Sequence, residues 1–299
     1  MTDSLPLPSD VEALLTEQSG SLPDRRERLA EALGAWNLRL LGELTGGYNS
    51  LVLRVVAEGE PAVLKIPPTR MAVAAEAAAL RWWGEELAPR VLRVDEQLGA
   101  LLIEQLRPGT AMPWESDADS QAMSPLLRGM HERAADLSLP LPRLRELAAE
   151  TLPLLRRNAE AKNDLVDSDL AREAEALLVQ LFTSGEHYRQ VVLHGDAVPV
   201  NVLQSDDGLR VIDPRACIGE ASYDAAYWSV FSGYGRDARQ NVTLLADELG
   251  LDEGRVLRWA WAMAVDRLLQ IADSTQLGHA ELCTSLRGFI AESRPDTVA

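Results

Sequence analysis

The hydrophobic pattern of this 299-residue chain shifts from mainly strand-like to mainly helical at Arg107-Pro108-Gly109. Before that point apolar residues alternate, as at Leu51, Leu53 and Val55 and then Val63 and Lys65, and after it nearly every segment repeats at helical spacing. A sheet followed by helices restricts the chain to an α+β fold in two parts, which we divide as residues 1–105 and 106–299. In the first part, Ala57 to Pro61 predicts the turn of a hairpin, alanine-rich Ala72 to Trp83 one main helix, and Arg90 to Val94 and Leu101 to Glu104 two further strands. Val11 to Leu15 and Arg25 to Leu33 predict short helices that form a lid or prefix to the domain. In the second part helices are expected over Gln121 to Ala135, Leu144 to Arg157, Asp169 to Phe182, Tyr223 to Phe231, Val242 to Leu249, Glu253 to Asp273 and His279 to Glu292. Two strands interrupt them, Gln190 to Leu193 and Leu209 to Ile212, with Asp207-Gly208 as the turn between them.

Bulk properties narrow the function. With 46% hydrophobic and 25% charged residues the chain has enough apolar surface to fold. Its net charge of −17 is spread over both parts: 10 basic and 16 acidic residues before Leu106, 19 and 30 after. That argues against a nucleic-acid partner, whose phosphates need basic side chains, and is compatible with a cationic small molecule. The two cysteines, Cys217 and Cys283, are far apart, so neither a disulfide framework nor a thiolate zinc site is expected, and a cytoplasmic location is. Neither a signal-peptide pattern nor an apolar run of membrane-spanning length occurs, so no membrane partner is expected; nothing in the pattern sets an oligomeric state.

The chemistry concentrates in VVLHGDAVPVNVL and LRVIDP. His194-Gly195-Asp196 is followed after four residues by Asn201, and Asp213 ends the next strand. Phosphoryl transfer to an alcohol needs a carboxylate to take or orient the hydroxyl proton and oxygen ligands to hold Mg²⁺ against nucleotide phosphates. Strand–loop–strand spacing brings these groups to one mouth, with Asp196 as base and Asn201 and Asp213 as metal ligands. Singly, each is an ordinary turn residue; the spacing is what favours chemistry. Lys65, one of two lysines, sits in the apolar strand Ala62 to Ile66, where a cation must be paired. Glu76, on the alanine-rich helix, is the expected partner, leaving Lys65 to reach the α and β phosphates of ATP. Gly46, Gly47 and Ser50 precede a strand and are candidates to cover the phosphates, although glycine pairs are as often plain turns. The segment Leu102 to Leu106 is the expected hinge, with backbone at Glu104 and Leu106 meeting adenine. Together these give the plan of a bilobal kinase: a small β-rich N-lobe that binds nucleotide and a larger, mostly helical C-lobe that carries catalysis and the substrate.

Other residues read as structural. His131 falls on an inner helix face and is expected to be a hydrogen-bonded core histidine, and Asp224 is expected to cap its helix or brace the catalytic loop. Trp114-Glu115, with Asp117 and Asp119, is a solvated acidic loop first and an amine-facing cluster second. Neither G-x-S-x-G nor H-E-x-x-H occurs, which sets hydrolase and zinc-protease chemistry aside. A nucleotide-binding pseudokinase is the alternative of a different class, and the retention of Lys65, Asp196, Asn201 and Asp213 weighs against it.

Between Leu193 and Asp213 the chain resembles the aminoglycoside phosphotransferases, and over most of its length their streptomycin/hydroxyurea kinase branch. The likeness rests on His194-Gly195-Asp196, Asn201-Val202-Leu203, Val211-Ile212-Asp213-Pro214, Gly219, Tyr223-Asp224 and Glu104 to Thr110. It departs at Val198 and Val200, where the family commonly has a second histidine and other residues before the asparagine, and at Arg215-Ala216 and Gly219-Glu220-Ala221; none of these removes a proton-transfer or metal-binding group. The resemblance implies a protein-kinase-like fold, ATP, Mg²⁺ and O-phosphorylation of an aminoglycoside such as streptomycin, or else of another sugar or secondary metabolite, with antibiotic resistance as the associated role.

Overall fold

A strand points successive side chains to opposite sides, so Leu51, Leu53 and Val55 share a face with Ala62, Leu64 and Ile66. That face is the floor of the first core in the computed structural model, which describes residues 22–44, 50–67, 69–111, 117–232, 237–276 and 278–295. Helix α1 (Leu22–Ala35) lays Leu29, Ala32 and Leu33 on it. The sheet is antiparallel, with β1 (Arg39–Glu43), β2 (Leu51–Ala57), β3 (Glu60–Ile66), β4 (Val91–Asp95) and β5 (Ala100–Glu104) in the order β1-β2-β3-β5-β4. Ala57 pairs with Glu60, so the β2–β3 turn is two residues long, with Glu58 and Gly59 both at positive φ as such a hairpin requires. The turn is tighter than the five-residue one expected. Helix α2 (Met71–Trp83) follows β3, its small alanines allowing close approach.

Helix α1 precedes the sheet and is tied to it: Arg28, 1% exposed, donates from Nε to the Leu98 carbonyl (2.7 Å) and from Nη2 to those of Gly99 (2.6 Å) and Pro67 (3.0 Å), pinning the helix to the ends of the sheet strands. The stretch Val11 to Leu15 lies outside the described residues.

Strand β6 (Pro108–Ala111) occupies the point where the period changes. Beyond it come α3 (Asp117–His131), a 3-10 turn at Leu144–Leu147 leading into α4 (Ala148–Ala161), α5 (Ser168–Ser184), β7 (Gln190–Leu193), β8 (Val202–Ser205), β9 (Gly208–Val211), β10 (Cys217–Glu220), α6 (Ser222–Phe231), α7 (Ala238–Leu249), α8 (Glu253–Ile271) and α9 (His279–Glu292). Helix α8 is buried along most of its length, with Trp259, Trp261, Ala264, Val265 and Leu269 fully buried. A helix buried on so many sides belongs in the middle of a bundle; α5, α6, α7 and α9 all pack on it. Asp252 caps it by accepting from the Arg255 N–H at 2.6 Å.

The strands of this part pair differently from the expectation. β7 pairs antiparallel with β10, Leu193 opposite Cys217, while β9 pairs with β8, which in turn pairs with β6. The Asp207-Gly208 turn therefore closes β8–β9, and two strands that the sequence did not announce, β8 and β10, lie beside the two that it did. By contacts the chain divides into a first unit up to Thr110 together with Leu203–Ile212 and a second of Ala111–Val202 with Asp213 onward, so the β8–β9 hairpin groups with the sheet. Among the described residues no helix is long and apolar enough to cross a membrane.

Candidate functional site

In the first unit, β3 is the central strand, and its register sets Lys65 between Val52 and Leu101. Leu64 and Ile66 face the α1 core, so Lys65 points to the other side of the sheet. There its Nζ donates to Glu76 Oε1 at 2.7 Å, with both side chains buried. Glu76 reaches it from the middle of α2. Ser50, half-buried, stands immediately before β2; Gly46 and Gly47 lie outside the described residues. Glu104 ends β5 with its N–H taken by the Arg90 carbonyl (3.0 Å), and Leu106, half-buried, follows.

In the second unit a single buried carboxylate organises the loop after β7. Asp224, in the first turn of α6 and fully buried, accepts the His194 N–H on Oδ2 (2.8 Å) and the Gly195 N–H on Oδ1 (2.9 Å). His131, at the end of α3, donates its Nε2–H to the same Oδ2 at 2.9 Å. Burial alone would raise the Asp224 pKa; the His131 hydrogen bond and charge, the field of His194 and the Gly195 N–H outweigh it and hold the carboxyl below its usual range. Asp224 is thus a brace for the loop and not the helix cap, since the capping position belongs to Ala221. His131 is the hydrogen-bonded core histidine expected.

The loop turns at Gly195, φ +74, where a Cβ would lie 2.1 Å from the Arg215 carbonyl oxygen. Only glycine permits that approach. The contact, with Leu193 opposite Cys217, brings the start of the 194–201 loop and the segment just past Asp213 to the same end of the β7–β10 ladder. Asp196 is half-buried. Its Oδ2 accepts from Asn201 Nδ2 at 3.1 Å, and the same nitrogen donates to the Asp196 carbonyl at 3.0 Å. Its Oδ1 accepts from the Tyr227 hydroxyl at 2.9 Å. Asp213 is exposed at the end of β9, φ +54, a left-handed conformation that aspartate tolerates.

The structure therefore joins Asp196 to Asn201 directly, sets Asp213 at the neighbouring chain end and pairs Lys65 with Glu76. The Asn201 amide nitrogen is occupied, and its side-chain carbonyl oxygen and the Asp213 carboxylate are hard oxygen donors of the kind Mg²⁺ takes, so these two residues could hold one. Sequence reasoning missed Tyr227. The signal was present: Tyr223, Tyr227 and Phe231 recur every four residues, one face of a helix. Trp114 and Glu115, and the side chains of Asp117 and Asp119, lie outside the described residues.

Residues 35–273 match the family model described as aminoglycoside/hydroxyurea antibiotic resistance kinase. The streptomycin 6-kinase of Streptomyces griseus is 30% identical over 256 residues, spanning 81% of this chain and 80% of that one. The hydroxyurea phosphotransferase of Kitasatospora aureofaciens is 29% identical over 247 residues, spanning 81% and 72%. The fold is similar to that of a thermostable mutant of aminoglycoside phosphotransferase APH(4)-Ia, solved in ternary complex with ADP and hygromycin B, at a TM-score of 0.58 and 16% identity over 89% of this chain and 98% of that one. A match covering most of the chain, on a sheet-plus-helix fold of protein-kinase type, means that this protein belongs to the aminoglycoside/hydroxyurea antibiotic resistance kinase family and is a small-molecule phosphotransferase with a hydroxyl acceptor.

Proposed function

We propose that this enzyme acts in the cytoplasm, moving the γ-phosphoryl group of ATP, with Mg²⁺, to a hydroxyl of a cationic small molecule, first of all an aminoglycoside such as streptomycin. The observation that carries this reading is the Asp196 carboxylate, held at 3.1 Å by Asn201 in a loop that Asp224 fixes through two N–H groups. Asp196 is the base that takes the acceptor proton. Lys65, braced by Glu76, neutralises the α and β phosphates, with Ser50, Gly46 and Gly47 covering them and the backbone of Glu104 and Leu106 meeting adenine. Asn201 and Asp213 hold the metal. Mg²⁺ held by these two residues would supply positive charge against the nucleotide phosphates. The N-terminal residues 1–105 serve the nucleotide, and residues 106–299 serve catalysis and the acceptor. Nucleotide use is supported by the ADP complex of the related fold.

Two relatives of nearly equal identity carry different substrate names, streptomycin and hydroxyurea. The net charge of −17 favours the cationic one, because hydroxyurea is uncharged. The test is mass spectrometry of ATP reactions with streptomycin, other aminocyclitols, amino sugars and hydroxyurea, looking for one added phosphoryl group. Turnover of hydroxyurea and of no aminocyclitol would replace the aminoglycoside reading. Nucleotide binding without any phosphorylated product would favour a pseudokinase. Asp196→Ala is expected to lower turnover at least about 100-fold; unchanged product formation would remove Asp196 from the role of base.

A further inference from the structure

We infer that Tyr227 is a positioning residue that fixes the orientation of the Asp196 carboxylate; the inference rests on Asp196 being the base. A carboxylate on a short side chain rotates about its last bond, and a base that must meet one hydroxyl hydrogen gains from having that rotation stopped. Asn201 holds one oxygen, Oδ2 (3.1 Å), and Tyr227 the other, Oδ1 (2.9 Å). Each carboxylate oxygen has two acceptor sites, so one remains on each for the acceptor hydroxyl.

Tyr227 suits this task chemically and mechanically. Burial first, and then the negative charge of Asp196, hold its phenol far above the ordinary range, so it keeps its proton and acts as a donor. A neutral donor orients the carboxylate without the neutralising effect of a bound cation, which would weaken the base. The ring itself is gripped along the helix face. Phe231 stacks on it at 4.3 Å between centroids with planes 13° apart, and Tyr223 lies on its other neighbour position at 6.0 Å and 30°. Phe231 is covered in turn by the Arg267 guanidinium, 5.3 Å from the ring centroid. Helix α6 thus contributes twice to one loop: Asp224 fixes its backbone, and Tyr227, three residues on and so on the same side, fixes its side chain. In the reaction the acceptor oxygen bonds to the γ phosphorus, the bond from that phosphorus to ADP breaks and the hydroxyl proton passes to Asp196. Tyr227 neither gains nor loses a proton.

Tyr227→Phe removes the hydroxyl and leaves the ring stack. With ATP and streptomycin, or hydroxyurea where that is the acceptor turned over, the single-turnover rate should fall about 10-fold while KM for both substrates stays within about 2-fold and the melting temperature is unchanged. A rate within about 2-fold of wild type overturns the inference, as does a loss that appears in KM alone. Asp196→Asn provides the control. If it turns over like wild type, the base assignment has failed, and the inference with it. If it is slow while Tyr227→Phe is not, only the positioning inference has failed. In the Asp196→Asn background Tyr227→Phe should cost nothing further; the same factor in both backgrounds would mark a purely structural tyrosine and overturn the inference.

Discussion

Both units contain a buried carboxylate–cation pair, and the two are built on different plans. In the second unit Glu220 accepts Arg255 Nε at 2.9 Å and Nη2 at 2.5 Å, and also the Trp259 indole N–H at 3.0 Å. Arg255 donates further to the Leu181 carbonyl (3.2 Å), and its guanidinium lies 4.5 Å from the Tyr188 ring centroid. That pair ties β10, α5 and α8 together. The first unit uses a lysine instead, a point charge on a flexible stem, held from the central strand to Glu76 of α2. A planar arginine fork serves fixed multiple bonding, whereas a lysine ammonium serves as a mobile point charge for phosphate. Desolvation cancels most of the attraction in any buried pair, so neither is retained for its Coulomb energy alone. Glu220–Arg255 is accounted for by what else it binds, and Lys65–Glu76 by the phosphate contact proposed for it.

Removing both charges at once tests this difference without stranding either. Lys65→Met with Glu76→Gln should lower turnover about 100- to 1000-fold, on the order of 3–4 kcal/mol of lost transition-state stabilisation, while the free energy of unfolding in urea stays within about 1 kcal/mol of wild type. A stability loss without loss of turnover would reverse the comparison. Arg255→Met with Glu220→Leu should do the opposite. It strands the Trp259 N–H in the core and takes away one of the two donors to the Leu181 carbonyl, which keeps the Gly185 N–H, for a loss of about 1–3 kcal/mol in unfolding free energy, with turnover per folded molecule changed only a few-fold. Equal stability in the two double variants would show that the extra partners of Arg255 carry no weight.

The same contrast marks what could be read from the residues alone. Hairpin β2–β3, helix α2 and the Asp196-to-Asn201 spacing were legible because each is a local pattern, and Lys65 stood out as a cation in an apolar run. What was not legible depends on distant contacts. Arg28 reads as a surface charge on α1 until the carbonyls of Pro67, Leu98 and Gly99 fold onto it. Strand β10 is four residues long and its Gly219 gives no alternation. Glycine is needed there since a Cβ would meet Leu144 and Leu193 within 2.8 Å, a fact of packing that composition does not carry. The pairing of β7 with β10 skips an entire hairpin that clusters with the first unit, so the nearer partner in sequence was the wrong one.

A third carboxylate, largely buried, gives the smallest and most specific test. Asp266, on α8, stands in the second unit without a fork on it: Oδ2 accepts from Gln270 Nε2 at 2.9 Å, and Oδ1 is buried without a hydrogen-bond partner. Burial pushes its pKa up from 3.8 to about 6, against the opposing Gln270 hydrogen bond and the charge of Arg267. Between those two values the unfolded chain is already ionised while the folded one still holds the proton, so the folded state binds more protons and loses stability as pH rises. The cost grows from about pH 4 to 6 and is constant above. A rise of that size corresponds to at most about 3 kcal/mol. Asp266→Asn keeps an acceptor for Gln270 and has no charge to desolvate, so it should stabilise by about 1–3 kcal/mol at pH 7–8 and by little at about pH 4. Urea unfolding at stepped pH reads this directly. A gain equal at both ends of the range would mean that shape, not charge, sets the effect, and the contrast with the paired Glu220 would lose its electrostatic basis.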